Sequence, residues 1–187
     1  FMEELVPNHD LIIVSDYGHG FISKKSSKFI SQNAPFLTLN AQINAANIGY
    51  HTMDKYQRID CAIINETELR HELRAKQGNL EPLIKELSER LKATYTVVTE
   101  GSSGATLYGV KRDNFCHCPA FASKIVDKVG AGDAMLALLS VALFKTGKQA
   151  LSLFLGSLAA AQSVETIGNS KPIEKMPLLK TIQHAFK

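Results

Sequence analysis

Four short apolar runs, each released into a loop or a helix, limit what this chain can fold into more than any other feature of its sequence. They are Leu11-Ile12-Ile13-Val14-Ser15, Pro35 to Asn40, Cys61 to Ile64 and Tyr95 to Glu100. Each is too short for a helix. Each is also nearly continuous in apolar residues rather than alternating, the pattern of a strand covered on both faces. The segments between them carry helical signals. Ser23 offers an N-cap for a helix through about Gln32, Asn65 to Leu73 reads as a second helix, and Leu80 to Leu91 as a third with Leu83, Leu87 and Leu91 on one side. Strand and helix in alternation predict a parallel sheet with helices on its faces. The 187 residues, 45% hydrophobic and 21% charged, are enough for one substantial core, so a single domain is expected.

The remainder of the chain departs from this alternation. Ala105 to Gly109, the turn Lys111-Arg112-Asp113-Asn114 and Phe115 to Ala120 predict an antiparallel hairpin at the edge of the sheet. Ala131 to Phe144 and Gln149 to Val164 read as two Ala/Leu-rich helices separated at Thr146-Gly147, with a third from Leu178 to Phe186. The net charge is +3 and no long run of Lys or Arg occurs, so a nucleic acid partner is not required. No apolar stretch reaches the roughly 18 residues that a membrane span needs, and Phe1-Met2-Glu3-Glu4 lacks the features of a signal peptide. Three cysteines give no even framework of bridges, which fits a reducing compartment and hence a cytoplasmic location. In Cys116-His117-Cys118 the single intervening residue is tighter than zinc spacing and the segment alternates as a strand does, so no residue is assigned as a direct metal ligand.

Chemistry concentrates in Asp127-Lys128-Val129-Gly130-Ala131-Gly132-Asp133-Ala134, where an irregular loop turns into an apolar helix. Small or absent side chains at Gly130, Ala131 and Gly132 let backbone N–H groups approach an anion, and the dipole of the following helix favours negative charge there. Asp133, in the first turn, has two readings. It caps the helix, or it takes a proton from a hydroxyl that attacks a terminal phosphate held by those amides.

The segment resembles the D-T-x-G-A-G-D signature of the PfkB family of ribokinase-type sugar kinases, with Lys128 in place of the usual Thr. The resemblance implies a ribokinase-like three-layer α/β/α fold with a mainly parallel sheet and an edge hairpin. It implies ATP-dependent phosphoryl transfer to a sugar or sugar phosphate, with Asp133 as base, Gly130 to Gly132 as anion hole, and ATP and Mg2+ as cofactors. Asp127, with Val129, corresponds to a loop that holds a monovalent cation in relatives. Asn65-Glu66-Thr67-Glu68 matches the family's N-x-x-E element, which organises magnesium through the positions of Asn65 and Glu68; the same spacing also makes a helix capping box. Val97 to Ala105 is similar to the family's V-T-x-G-x-x-G turn, making Thr99 and Gly101 candidate nucleotide contacts, although glycines also punctuate hairpins. Ala159 to Ser170 is similar to the segment flanking adenine, and Ser157 and Gly168 are carried over as nucleotide contacts.

Val14-Ser15-Asp16-Tyr17-Gly18-His19-Gly20 is most similar to the S-D-Y-x-K-G segment of the heptose 7-phosphate kinases, with His19 where they have Lys; Asp16 and His19 are therefore expected near the acceptor. Asn40 to Asn47 reads as a polar surface loop. Nothing in the chain matches the substrate-binding and lid portion with which relatives begin, through which the family implies a homodimer. The expectation is a C-terminal catalytic portion that turns over weakly by itself. The alternative is a nucleotide-binding or scaffold module that keeps the fold without the reaction.

Overall fold

The computed structural model describes residues 1–42, 53–122, 124–168 and 170–185. Its centre is a six-stranded sheet in which the strands lie side by side in chain order, β1 (Ile12–Asp16), β2 (Leu37–Ala41), β3 (Cys61–Asn65), β4 (Tyr95–Thr99), β5 (Ala105–Gly109) and β6 (Asn114–Cys118). The first four pair in parallel, and β5 and β6 turn back antiparallel to form the far edge. The expected α/β class, mainly parallel sheet and edge hairpin are all present.

A short helix α1 (Met2–Leu5) precedes β1, then α2 (Lys24–Asn33) joins β1 to β2, and α3 (Glu66–Glu72) and α4 (Leu80–Leu91) join β3 to β4. Ser23 caps α2 by accepting the amide of Ser26, as its position predicts. Two long helices, α5 (Ala131–Thr146) and α6 (Gln149–Val164), follow the hairpin, and α7 (Lys175–Ala185) comes last.

Alternation along the strands sends neighbouring side chains to opposite faces, and the core divides accordingly. Leu37, Leu39, Ala62, Ile64 and Val98 pack with Ile30 of α2, Leu69 of α3 and Ile84, Leu87 and Leu91 of α4. Cys61, Ile63, Val97 and Leu107 pack on the other side with Met135, Leu136, Leu139 and Leu143 of α5 and Leu153 of α6. The result is three layers, helix on sheet on helix. Continuous apolar runs in β2 and β3 follow from this double coverage.

Residues 2–8 form helical turns, and Val6 is buried there. One expectation is corrected locally. Ala41 belongs to β2 and not to a surface loop, and Asn40 ends the predicted apolar run within the strand, buried, with its Nδ2 donating to the carbonyl of Ile63 at 2.9 Å. Residues 43–47 of that expected loop lie outside the described residues. Among the described residues no helix is long and apolar enough to cross a membrane.

Candidate functional site

The carboxyl ends of the parallel strands point toward one rim of the sheet, the edge at which open α/β sheets bind ligands. Asp16, Asn65 and Thr99 end β1, β3 and β4, and Asn65 stands directly beside Thr99 in the β3–β4 register.

α5 begins at this rim. Its N-cap is Gly130 in the left-handed conformation (φ 84°, ψ −5°), which lets the loop from Asp127 turn sharply into the helix. No side chain caps the helix; the Ala131 amide reaches the Lys128 carbonyl at 3.4 Å, and the Ala134 amide begins the helical ladder at the Gly130 carbonyl at 2.9 Å. A side chain added at Gly132 would meet nothing within 4 Å, so its backbone faces open space.

Asp133, half-buried in the first turn, does not cap its helix. Ser15 Oγ donates to its Oδ1 at 2.8 Å and the Tyr17 hydroxyl donates to its Oδ2 at 2.8 Å, both from the end of β1. The hydrogen bond to Asp133, then burial and the charge of the carboxylate, raise the Tyr17 phenol above its ordinary value. Neither Ser15 nor Tyr17 stood out in the sequence as a partner of Asp133. Their spacing of two on a strand is the one signal that puts both on the same side.

Asp16 points the opposite way and is only 3% exposed. Its carboxylate pairs with Lys55 Nζ at 2.5 Å, accepts from the Tyr56 hydroxyl at 2.7 Å and from the Gly18 amide at 3.0 Å. Burial pushes the Asp16 carboxyl up, but Lys55, Tyr56 and Gly18 together outweigh it and leave the group below its ordinary value. Asp16 therefore anchors the loop after β1 and does not face solvent. His19 is exposed on that loop, its ring tilted 33° to that of Tyr17 with centroids 6.5 Å apart.

Beside the α5 start lies a cavity of about 350 Å³ that joins elements distant in sequence. Thr99, Gly101 and Gly104 from the β4–β5 turn form one wall, Gly132 and Met135 of α5 another, and Ser157, Ala160 and Val164 of α6 a third. Thr99, Gly101, Ala131, Gly132 and Ser157, all read as site residues in the sequence, share this lining. Ser157 is 5% exposed and its hydroxyl finds no oxygen or nitrogen partner, with the Cys118 thiol as a weak neighbour. Phe121, packed edge-on to Phe154, and Lys128 also line it; Phe121 was not legible as a site residue, because it lies in an irregular segment without a motif.

Gly168 is not in the lining. Its amide donates to Asp127 Oδ2 at 2.9 Å, while the Val129 amide donates to Asp127 Oδ1 at 3.0 Å. Asp127 thus ties the loop before α5 to the loop after α6, and these two amides first of all hold its carboxyl below its ordinary value. Asn65 and Glu68 form the reciprocal capping box of α3: the Asn65 side chain accepts the Glu68 amide at 2.8 Å, and Glu68 Oε2 accepts the Asn65 amide at 3.0 Å. Among the described residues no three His, Cys, Asp or Glu side chains gather as a metal cage.

A family profile, pfkB family carbohydrate kinase, matches residues 32–176. Bifunctional protein HldE of Campylobacter concisus is 30% identical over 162 residues, covering 85% of this chain and 33% of that protein. Bifunctional protein HldE of Koribacter versatilis is 27% identical over 180 residues, covering 95% of this chain and 36% of that protein. The chain thus spans about a third of the length of these relatives. Among solved structures, a putative ribokinase II from E. coli superposes with TM-score 0.78 at 18% identity, over 97% of this chain and 61% of its own. Arabidopsis thaliana ribokinase complexed with ribose and ATP gives TM-score 0.73 at 21% identity, over 95% of this chain and 57% of its own. At these identities the structural likeness establishes the shared fold.

Proposed function

This chain belongs to the pfkB family of carbohydrate kinases, and from that premise we propose that it carries the nucleotide-binding and catalytic part of an enzyme that phosphorylates a hydroxyl of a sugar or sugar phosphate with ATP. The observation that carries the reading is the position of Asp133, on the first turn of a helix whose uncapped amides open onto a 350 Å³ cavity. The nucleoside occupies that cavity between Thr99, Gly101 and Ser157, with the Ser157 hydroxyl as an unused hydrogen-bonding group in its wall. The terminal phosphate reaches the α5 start, where the amides from Gly130 to Gly132 and the helix dipole stabilise its charge.

Asp133 then takes the proton of the acceptor hydroxyl as that oxygen bonds to the terminal phosphorus. The bond from that phosphorus to the bridging oxygen breaks, and ADP leaves with the electron pair. Magnesium supplies charge neutralisation on the phosphates when bound. The capping box leaves Asn65 and the 8%-exposed Glu68 able to hold the ion's waters rather than to cage the ion. Asp127 and Val129 are the residues that would face a monovalent cation, and Lys128 in the cavity wall adds a fixed positive charge beside them. The acceptor comes to the rim beside Tyr17 and His19; the Ser15-Asp16-Tyr17 segment supports a sugar phosphate.

The test is phosphoryl transfer from MgATP to a panel of sugars and sugar phosphates, with and without Asp133→Asn. Loss of a general base lowers turnover by about 10²–10⁴-fold while the affinity for MgATP is retained. Turnover that survives the substitution unchanged would remove Asp133 from the mechanism.

A further inference from the structure

The end of β1 presents two faces with different tasks. On one, Asp16 is locked by Lys55, Tyr56 and the Gly18 amide, which fixes the backbone on either side of it. On the other, Ser15 and Tyr17 reach across to α5, one hydroxyl to each oxygen of the Asp133 carboxylate, both at 2.8 Å. These contacts join residues 118 and 116 positions apart, so they come from tertiary packing and not from local sequence. A carboxylate in a first helical turn ordinarily samples several staggered rotamers or turns back onto the helix amides. Two hydrogen bonds to a charged acceptor outweigh the small spread between such rotamers.

We propose that Ser15 and Tyr17 are positioning residues for Asp133, a two-donor clamp that holds its carboxylate off the helix amides and in one orientation at the phosphate end of the cavity. The proposal rests on reading Asp133 as the proton acceptor of the reaction. Hydroxyl groups can serve the clamp because each spends a single proton on one oxygen and leaves that oxygen a further lone pair for an acceptor hydroxyl. Asp133, so held, does not draw on the first-turn amides of α5, of which that of Ala131 reaches back to the Lys128 carbonyl at 3.4 Å. A phenol is protonated, and therefore a donor, through the neutral range.

The test reads the Asp133 rotamer directly in this chain, without substrate. In uniformly ¹³C,¹⁵N-labelled protein, the three-bond couplings from the Asp133 carboxyl carbon to its own amide nitrogen and carbonyl carbon report χ1. The parent is expected to show couplings of a single rotamer. Ser15→Ala combined with Tyr17→Phe is expected to show averaged couplings, with the amide shifts of Val97, Leu139 and Leu143 unchanged as evidence of an intact core. Ser15→Thr, which keeps the hydroxyl, should retain the parent values. Averaged couplings in the parent, or a single rotamer that survives the double substitution, would overturn the clamp. Should the double variant lose its core shifts, the single variants Ser15→Ala and Tyr17→Phe supply the same reading, each expected to average partway. Because no phosphoryl transfer is measured, a chain found inactive as a kinase would refute the functional reading while leaving this result legible.

Discussion

At the scale of single residues, the loop after β1 depends on a buried ion pair between Asp16 and Lys55. Asp16 and Lys55 are 4% and 14% exposed in their side chains, so removing the lysine strands a carboxylate in the core. Breaking such a pair from one side costs about 3 kcal/mol, and Lys55→Met should lower stability by that order in a denaturant titration. The pH dependence has a definite sign. Because the folded-state value of Asp16 lies below its ordinary 3.8, its contribution is present above that value and is lost as pH falls through the folded one. The penalty of Lys55→Met therefore shrinks in acid, and a penalty that grew there would contradict the assignment. Asp133 itself was legible from the loop it ends, but its partners were not, since no local rule links a helix start to a strand more than a hundred residues earlier. The interior position of Asp16 was equally hidden, because its neutralising lysine lies in a short helical turn with no motif of its own.

At the scale of elements, α5 and α6 approach closely enough for a missing side chain to matter. A Cβ at Gly156 of α6 would stand 2.9 Å from the Leu139 Cβ and 3.1 Å from the Met135 Cγ of α5. Gly156→Ala gains about 1 kcal/mol of helix propensity, but overpacking at so rigid a contact costs about 1–3 kcal/mol. A net loss of stability is expected in thermal unfolding, and the same displacement moves Met135 and Ser157 in the cavity wall. Gly132→Ala is the counterpart, in a helix with open space around it, and should be neutral or slightly stabilising. Equal effects of the two alanines would mean that the helices do not touch as described. The elements themselves were largely legible, because buried parallel strands read as unbroken apolar runs and because Ser23 and Asn65 carry their caps in sequence. The short helical turns at 53–55 and 101–103 were not, since their three residues are too few to show a period.

At the scale of the whole molecule, sequential strand order gathers the ends of β1, β3 and β4 on one rim, and the second layer of helices delivers the start of α5 to the same rim. The glycines of the α5 loop, the β4–β5 turn and the wall of α6 meet there although 58 positions separate Thr99 from Ser157. The family resemblance named most of these residues but could not say that one cavity joins them, nor that the Gly168 amide, carried over with them, donates to Asp127. The proposed nucleotide site, with phosphates at Gly130 to Gly132, is open to calorimetric titration of MgATP into the chain and into Gly132→Asp, since that side chain enters open space and would bring a carboxylate against the phosphates. MgATP is expected to bind the parent and to bind the variant at least about tenfold more weakly, a difference of about 1.4 kcal/mol; absence of binding to the parent, or equal binding to both, would remove the phosphates from this helix start.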